Sequence, residues 1–509
     1  MSSINFQWEE LCRVVQILKM VKWFVLILCI LLVLKIAARR RSSRIINQHG
    51  KTIPEVPGDA RVSKFAFSQQ LSDQGKALAR EEPFIIRNGR ARELVVTKPE
   101  HIYDFYKGDT KHHPKPPYLN MGKYFSGILG HAVGALAGDR WSVIRRYFDP
   151  EFSFQVARQA IPQLSASIDR WLDDLPRQTT TQIINSRGGF ALELKKPCRF
   201  LPLRLAAEFV YGEVFNDEVL FAALLQLNVL HEVILHDVIA NKRLATNLGC
   251  WLDRSATKRM NEFRLQWKKF NLGIIHSARR GSHLCPAEKI YRGVETGDLK
   301  LEEFLHTLDE ILFANVDVSS AVLNTLFEHL ASNTTFQQRL CEEITAQSQT
   351  HTQTPSPTSI NTDTTTHTGK YLSKQDTLLH YAVMEAMRFS PAFAFSLPEC
   401  TAVPKEIGGY RVPARCPVVI DAKRLNADPA TWGKDADVYR PERFREIASS
   451  KLRYGFMRFG VGAASGRCLG KHLADAIFKL SLMAVLQRYS LHLGQNGSEI
   501  ELRYVQRKE

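Results

Sequence analysis

The chain is 509 residues long, 44% hydrophobic and 24% charged, with a formal net charge of +16. This composition excludes a disordered chain and one embedded throughout in a membrane, and the length leaves room for a large core. The nine cysteines are scattered singly with no Cys-x-x-Cys pair, which argues against a disulfide framework or a zinc cage and for a reducing compartment. The positive charge suits a nucleic-acid surface, an anionic membrane or an acidic partner protein, and no aromatic-interleaved basic patch supports the first.

The N-terminus supports a membrane. Trp23 to Leu34 is an apolar run of twelve residues, extended to eighteen from Val21 to Ala38 when Lys22 and Lys35 snorkel to the interface. Arg39, Arg40, Arg41 and Arg44 follow it, a flank that places the C-terminal part in the cytosol and suits signal cleavage poorly. Residues 1–45 therefore read as an anchor with a single transmembrane helix at about 21–38, and Pro54 and Pro57 as a stiff hinge over 46–60.

Further along, Phe84-Ile85-Ile86 and Leu94-Val95-Val96-Thr97 predict strands. From Trp141 to Ile344, apolar residues at three- and four-residue spacings predict helices. Among them is one long helix over roughly 301–330, about 45 Å at 1.5 Å per residue. Residues 346–370 are rich in Thr, Ser, Gln and Pro and predict a solvated, mobile insertion. A helix, short strands, an irregular stretch and a final long helix follow Tyr371. No internal repeat is present, so the simplest fold class is one α+β domain, predominantly helical, over 61–509.

Several segments carry chemistry. Gly460, Gly462, Gly466 and Gly470 surround Cys468 and allow tight turns and close approach to a flat ligand. Leu473, Ala476, Ile477 and Leu480 continue as an amphipathic helix. A cysteine at the positive end of a helix dipole favours its thiolate, and a thiolate held by a rigid loop suits haem iron. Taken alone, a buried cysteine in a glycine turn explains that segment equally well. Glu385 and Arg388 share a helix face at i and i+3, and Arg443 lies in a segment able to complete a buried pair. Trp141 and Arg145 share a face at i and i+4, and beside an acidic cofactor the arginine becomes an anion clamp.

In order and spacing, these residues together resemble the cytochrome P-450 family over essentially the whole chain after the anchor. The match rests on Trp141 and Arg145, Ala314-Asn315-Val316-Asp317, Glu385 and Arg388, the run Asn426 to Gly433, Pro441-Glu442-Arg443-Phe444, and Cys468-Leu469-Gly470. The resemblance implies the cytochrome P-450 fold with small β-sheets, and haem b with Cys468 as axial iron ligand. It implies Trp141 and Arg145 at a haem propionate, Phe459, Arg467 and Gly470 in the cofactor-binding loop, and Glu385, Arg388 and Arg443 as a structural triad. It also implies electrons from NADPH through a reductase partner, and oxidation of a small, largely apolar metabolite with O2. Arg453, Arg458, Arg467 and Lys471 offer the reductase a basic docking face. Phe393, Phe395 and Val318 are expected in the substrate pocket, and the endoplasmic reticulum membrane as the location. The motif variants look most like filamentous-fungal enzymes of secondary metabolism, some of which act on cyclic dipeptides.

Two departures stand out. The family's aromatic seven residues before the cysteine, and its Arg or His two before, are replaced by Val461 and Gly466; Phe459 and Arg467 lie nearby in a loop two residues longer. The acid of the long helix is kept as Asp317, but Val318 fills the place of the threonine that serves proton delivery, and valine has no proton to give. Asp317 and Ser319 are thus the catalytic candidates. Val318 leaves open an isomerase or lyase without oxygen activation, and a non-catalytic membrane-anchored binding protein is the rival of another class.

Overall fold

The structure, a computed structural model, describes residues 45–108, 113–179, 189–349, 360–461, 467–496 and 499–507, with a few positions between 20 and 27. Most of the expected anchor helix at 21–38 lies outside the described residues, as do Gly462, Gly466 and residues 350–359. Trp23, Phe24 and Ile27 are described, and are helical and exposed.

The strands are β1 (Ile46–Asn47), β2 (Phe84–Asn88), β3 (Ala91–Val96), β4 (Gly189–Glu193), β5 (Glu399–Cys400), β6 (Lys405–Ile407), β7 (Tyr410–Val412), β8 (Pro417–Ile420), β9 (Tyr489–Asn496) and β10 (Glu499–Gln506). They form three sheets, ordered β1-β7-β6, β2-β3-β8-β5 and β4-β10-β9. The two predicted runs are β2 and β3, paired antiparallel with Ile85 opposite Leu94; β3 runs parallel to β8. The expected hinge over 46–60 belongs to the body instead. β1 pairs with β7, the Val56 N–H donates to the Ile85 carbonyl at 2.9 Å, and Ile53, Val56 and Ala60 are buried. Proline stiffens a segment but leaves its neighbours' N–H groups free to join a sheet edge.

The helices that position the site are α1 (Gly138–Glu151), α2 (Leu301–Leu312), α3 (Val316–Ser332), α4 (Leu378–Phe389) and α5 (Lys471–Arg488). One large apolar core includes Phe304 and Leu308 of α2, Leu323 and Leu326 of α3, Leu379 and Val383 of α4, and Ile477 and Leu480 of α5. The helix Glu218–Ala240 is long and apolar enough to cross a membrane. Its stripe of Leu224, Leu227, His231, Ile234 and Val238 is nonetheless buried, and His231 Nε2 lies 2.9 Å from the Asp309 carboxylate of α2.

The predicted helix over 301–330 is two helices. The N–H groups of Phe313 and Ala314 both reach the Asp309 carbonyl, at 2.8 and 3.2 Å, and regular helix resumes only at Val316. An i→i−5 step of this kind inserts an extra residue into a turn and is frequent at functional sites. Helices Thr334–Gln349 and Ile360–Ser373 extend into the ends of the polar stretch and flank residues 350–359. Glu343 ties them to α4, accepting from the Tyr371 hydroxyl at 2.8 Å and the Leu378 N–H at 2.9 Å. Scarce apolar content reports exposure, and polar residues enter helices at small cost.

Candidate active site

α4 is capped by Thr377, whose side chain accepts from the His380 N–H at 3.1 Å. Helical spacing then sets Glu385 and Arg388 side by side, with Nε and Nη2 of Arg388 donating to the carboxylate at 2.8 and 2.9 Å. Arg443 Nε donates to the same carboxylate at 2.9 Å, as does the Arg440 backbone N–H at 3.0 Å. All three triad side chains are buried. The remaining guanidinium donors reach carbonyls: Arg388 those of Asn426 and Ala436, Arg443 those of Trp432, Asp435 and Val438. Two irregular segments are thereby clamped to one helix beneath the cysteine loop.

The loop itself turns at Phe459, with φ +53°, and Gly460, with φ +86°, and closes where the Cys468 N–H donates to the Phe459 carbonyl at 2.9 Å. The left-handed backbone is free for Gly460 and costly for Phe459, so the turn holds only because its surroundings fix it. Phe459 is partly buried against the main core, while Val461 is buried in a small-sheet cluster. Gly470 ends the loop as the N-cap of α5. Cys468 is accessible at its surface, although protein atoms crowd around it. Burial pushes its thiol up, opposed by the Gly470 N–H and the charges of Arg145 and Lys471.

α1 brings Trp141 and Arg145 to this loop. The guanidinium lies 5.6 Å from the Trp141 ring centre, and Nη1 donates to the Arg467 carbonyl at 3.3 Å. Arg467 thus joins the site through its backbone. Of the four basic residues expected on a docking face, Arg453 and Arg467 are exposed and Lys471 is half-buried. Arg458 turns inward instead, 3.6 Å from Asp475, and burial lowers its pKa.

Asp317 stands in the first turn of α3 and is exposed, Val318 is half-buried, and Ser319 is buried. Asp317 and Ser319 are not brought together, because residues at i and i+2 face different ways. The nearby hydroxyl is that of Ser320, donating to the Asp317 carbonyl at 3.3 Å. The expected pocket position of Phe395 is also corrected: only 3% exposed, it packs with Val56, Leu71, Phe84 and Val419 in the core of the small sheet. A bridge to Asp421 holds its backbone extended, and the alternation of an extended chain turns the ring into the sheet. Phe393, two residues earlier, is 38% exposed.

The sequence reading missed Glu310. This residue of α2 accepts the Gly134 N–H at 3.0 Å, and its charge acts on both Arg145 and Cys468. Nothing in its spacing sets it apart from a surface acid on a helix.

An accessible cysteine in a tight loop, with an arginine bonded to that loop, fits an acidic, iron-bearing cofactor. Comparison with known proteins agrees. The family described as Cytochrome P-450 matches residues 80–504. The chain is 75% identical over 489 residues to cytochrome P-450 monooxygenase apdB of Emericella nidulans, covering 95% of this chain and 94% of that one. It is 42% identical over 464 residues to monooxygenase opdB of Penicillium oxalicum, covering 90% and 88%. With monooxygenase lepD of Aspergillus flavus it shares 41% over 447 residues, covering 88% and 85%. The chain belongs to the cytochrome P-450 family of haem-thiolate oxidoreductases, among its fungal monooxygenases.

Proposed function

We propose that this protein is a membrane-anchored monooxygenase that oxidises a small, largely apolar metabolite in fungal secondary metabolism, cyclic dipeptides being one candidate class. The observation that carries the reading is Cys468, accessible in a tight loop closed by its own N–H on the Phe459 carbonyl, with Arg145 tied to the residue before it. Bound haem would supply oxygen activation, with electrons from NADPH through a reductase. The protein's own residues hold and shield. Cys468 offers the thiolate, Gly470 and the α5 N-terminus favour its charge, and Arg145 and Trp141 receive a propionate. Val318 gives no proton, so Asp317, accessible at the N-terminus of α3, passes protons through water. Trp23, Phe24 and Ile27, exposed on a helix, suit an anchor in the endoplasmic reticulum membrane, with Arg453 and Arg467 on the face offered to the reductase.

The test is the carbon monoxide difference spectrum of the reduced protein beside Cys468→Ala. A red-shifted Soret band in the wild type alone is the expected result. Absence of haem, or the same band in both proteins, overturns the reading. With haem established, turnover of a metabolite panel that requires both NADPH and reductase separates a monooxygenase from an isomerase, which needs neither.

A further inference from the structure

The segment 131–135 lies along α2 through three backbone donors. The His131 N–H reaches His306 Nδ1 at 3.1 Å, the Val133 N–H reaches Thr307 Oγ1 at 3.2 Å, and the Gly134 N–H reaches Glu310 Oε2 at 3.0 Å. His306 and Thr307 are buried, and these bonds help to satisfy them. Glu310 is different. A carboxylate accepts up to about four hydrogen bonds, and the Gly134 N–H fills one place. Lys115 and Arg145 act on it from a distance, and no cation sits within ion-pair range among the described residues. Burial pushes its pKa up to about 6.

The seat is shaped for this side chain. A Cβ added to Gly134 would stand 1.9 Å from Glu310 Oε1, so only glycine leaves the notch the carboxylate occupies. The backbone there has no positive φ, so close approach is what the glycine provides. Glu310 also stands three residues before the break that ends α2, and its charge is felt at Cys468. Glu310 is half-buried, so its second oxygen stays open to the donor of a water or of a ligand.

We propose that Glu310 is a specificity-determining residue, accepting a hydrogen bond from an N–H or O–H group of the substrate and so fixing which end of an otherwise apolar molecule faces Cys468. This rests on the haem-thiolate reading above. Donor-bearing substrates bind in one orientation, and analogues whose donor is methylated lose that orientation.

The test uses the holoenzyme and two probes that ligate iron through the same nitrogen: 4-phenylimidazole, which keeps a ring N–H, and 1-methyl-5-phenylimidazole, which does not. Both are titrated by their Soret shift into wild type, Glu310→Leu and Gly134→Ala. Gly134→Ala retains the carboxylate but displaces it, and the atom it strikes is the free end of a flexible side chain, so the fold survives. A hydrogen bond to a charged group gives the N–H probe a preference of about tenfold or more in the wild type. That preference is expected to fall to near unity in both variants; because it is a ratio within each protein, the steric effect of the methyl cancels. No preference in the wild type, or an undiminished one in Glu310→Leu, overturns the proposal. The carbon monoxide spectrum, taken on the same samples, reports separately on the haem-thiolate reading.

Discussion

Replacing Glu385 by glutamine removes one negative charge from beneath two buried guanidiniums. Arg388 and Arg443 are 3% and 0% exposed, and neither gains access to water when the carboxylate is lost. The carboxylate accepts two bonds from Arg388, one from Arg443 and one from the Arg440 N–H. The amide of glutamine can accept at one atom only, and its NH2 group would face a donor. Breaking a buried ion pair from one side costs about 3–5 kcal/mol, and a carboxylate shared by two arginines belongs at the upper end. Set against a total stability of about 5–15 kcal/mol, that is three to four powers of ten in the folding equilibrium. The thermal signature is smaller. With unfolding entropy near 2.1 cal/mol/K per residue over about 450 residues, the same loss lowers Tm by only about 3–5 °C. Urea unfolding, combined with haem content from the carbon monoxide spectrum, is therefore the better assay, and both should fall. Arg443→Lys should follow the same course, because a single ammonium cannot reach the carbonyls of Trp432, Asp435 and Val438 that the guanidinium spans. An unfolding midpoint and haem content equal to wild type in Glu385→Gln would refute the reasoning, and with it the idea that the triad supports the loop.

Acid should destabilise the protein partly through His380. Buried, and near the positive Lys479 and Arg458, its imidazole pKa falls to about 4. The unfolded chain, with a pKa near 6.5, then binds more protons than the folded one, so this stability is complete above pH 6.5 and is lost as pH falls toward 4, about 3 kcal/mol over the window. His306, lowered to about 3 by burial, acts in the same direction. Urea midpoints between pH 7.5 and 5 should fall less steeply in His380→Gln, and identical slopes would sink the assignment. Gly75→Ala, in the helix Ser68–Ala79, should destabilise although alanine is the better helix former. Its Cβ would stand 2.2 Å from the ring of the fully buried Phe84, and overpacking costs about 1–3 kcal/mol against a helix gain near 1. A raised urea midpoint would contradict this.

The parts of the fold legible in the sequence are those where spacing or chemistry forces geometry. Charges at i and i+3 in an apolar helix share a face, and a second arginine beside proline could join them, but only the resemblance of all the segments together implies the triad and the role of the cysteine loop. The strands β2 and β3 follow from β-branched runs. Other features left no trace. The break between α2 and α3 is invisible because apolar residues keep a helical period on both sides of it, and periodicity registers a stripe rather than its continuity. Phe393 and Phe395 read alike as pocket aromatics, and only the packing of Phe395 with Val56, Leu71, Phe84 and Val419 shows which ring lies in the core. Arg458 reads as one surface cation among several until its pairing with Asp475 is seen.

The break also separates two acids that a straight helix would align. Glu310 and Asp317 are seven residues apart, and two regular turns would place them on one face. Ala314 reaches back to Asp309 and Val316 only to Phe313, so the regular ladder is interrupted between the two acids. Glu310 is left against the Gly134 backbone, while Asp317 opens α3 in an accessible position. Their surroundings then diverge. Burial raises the pKa of Glu310, making it an acceptor that holds its partner in a weakly screened interior. Asp317 has water within reach and the positive end of a helix dipole behind it, conditions that suit exchange of protons more than retention of a ligand. With valine in place of threonine next to it, the proposed proton route through Asp317 and water depends on that accessible position.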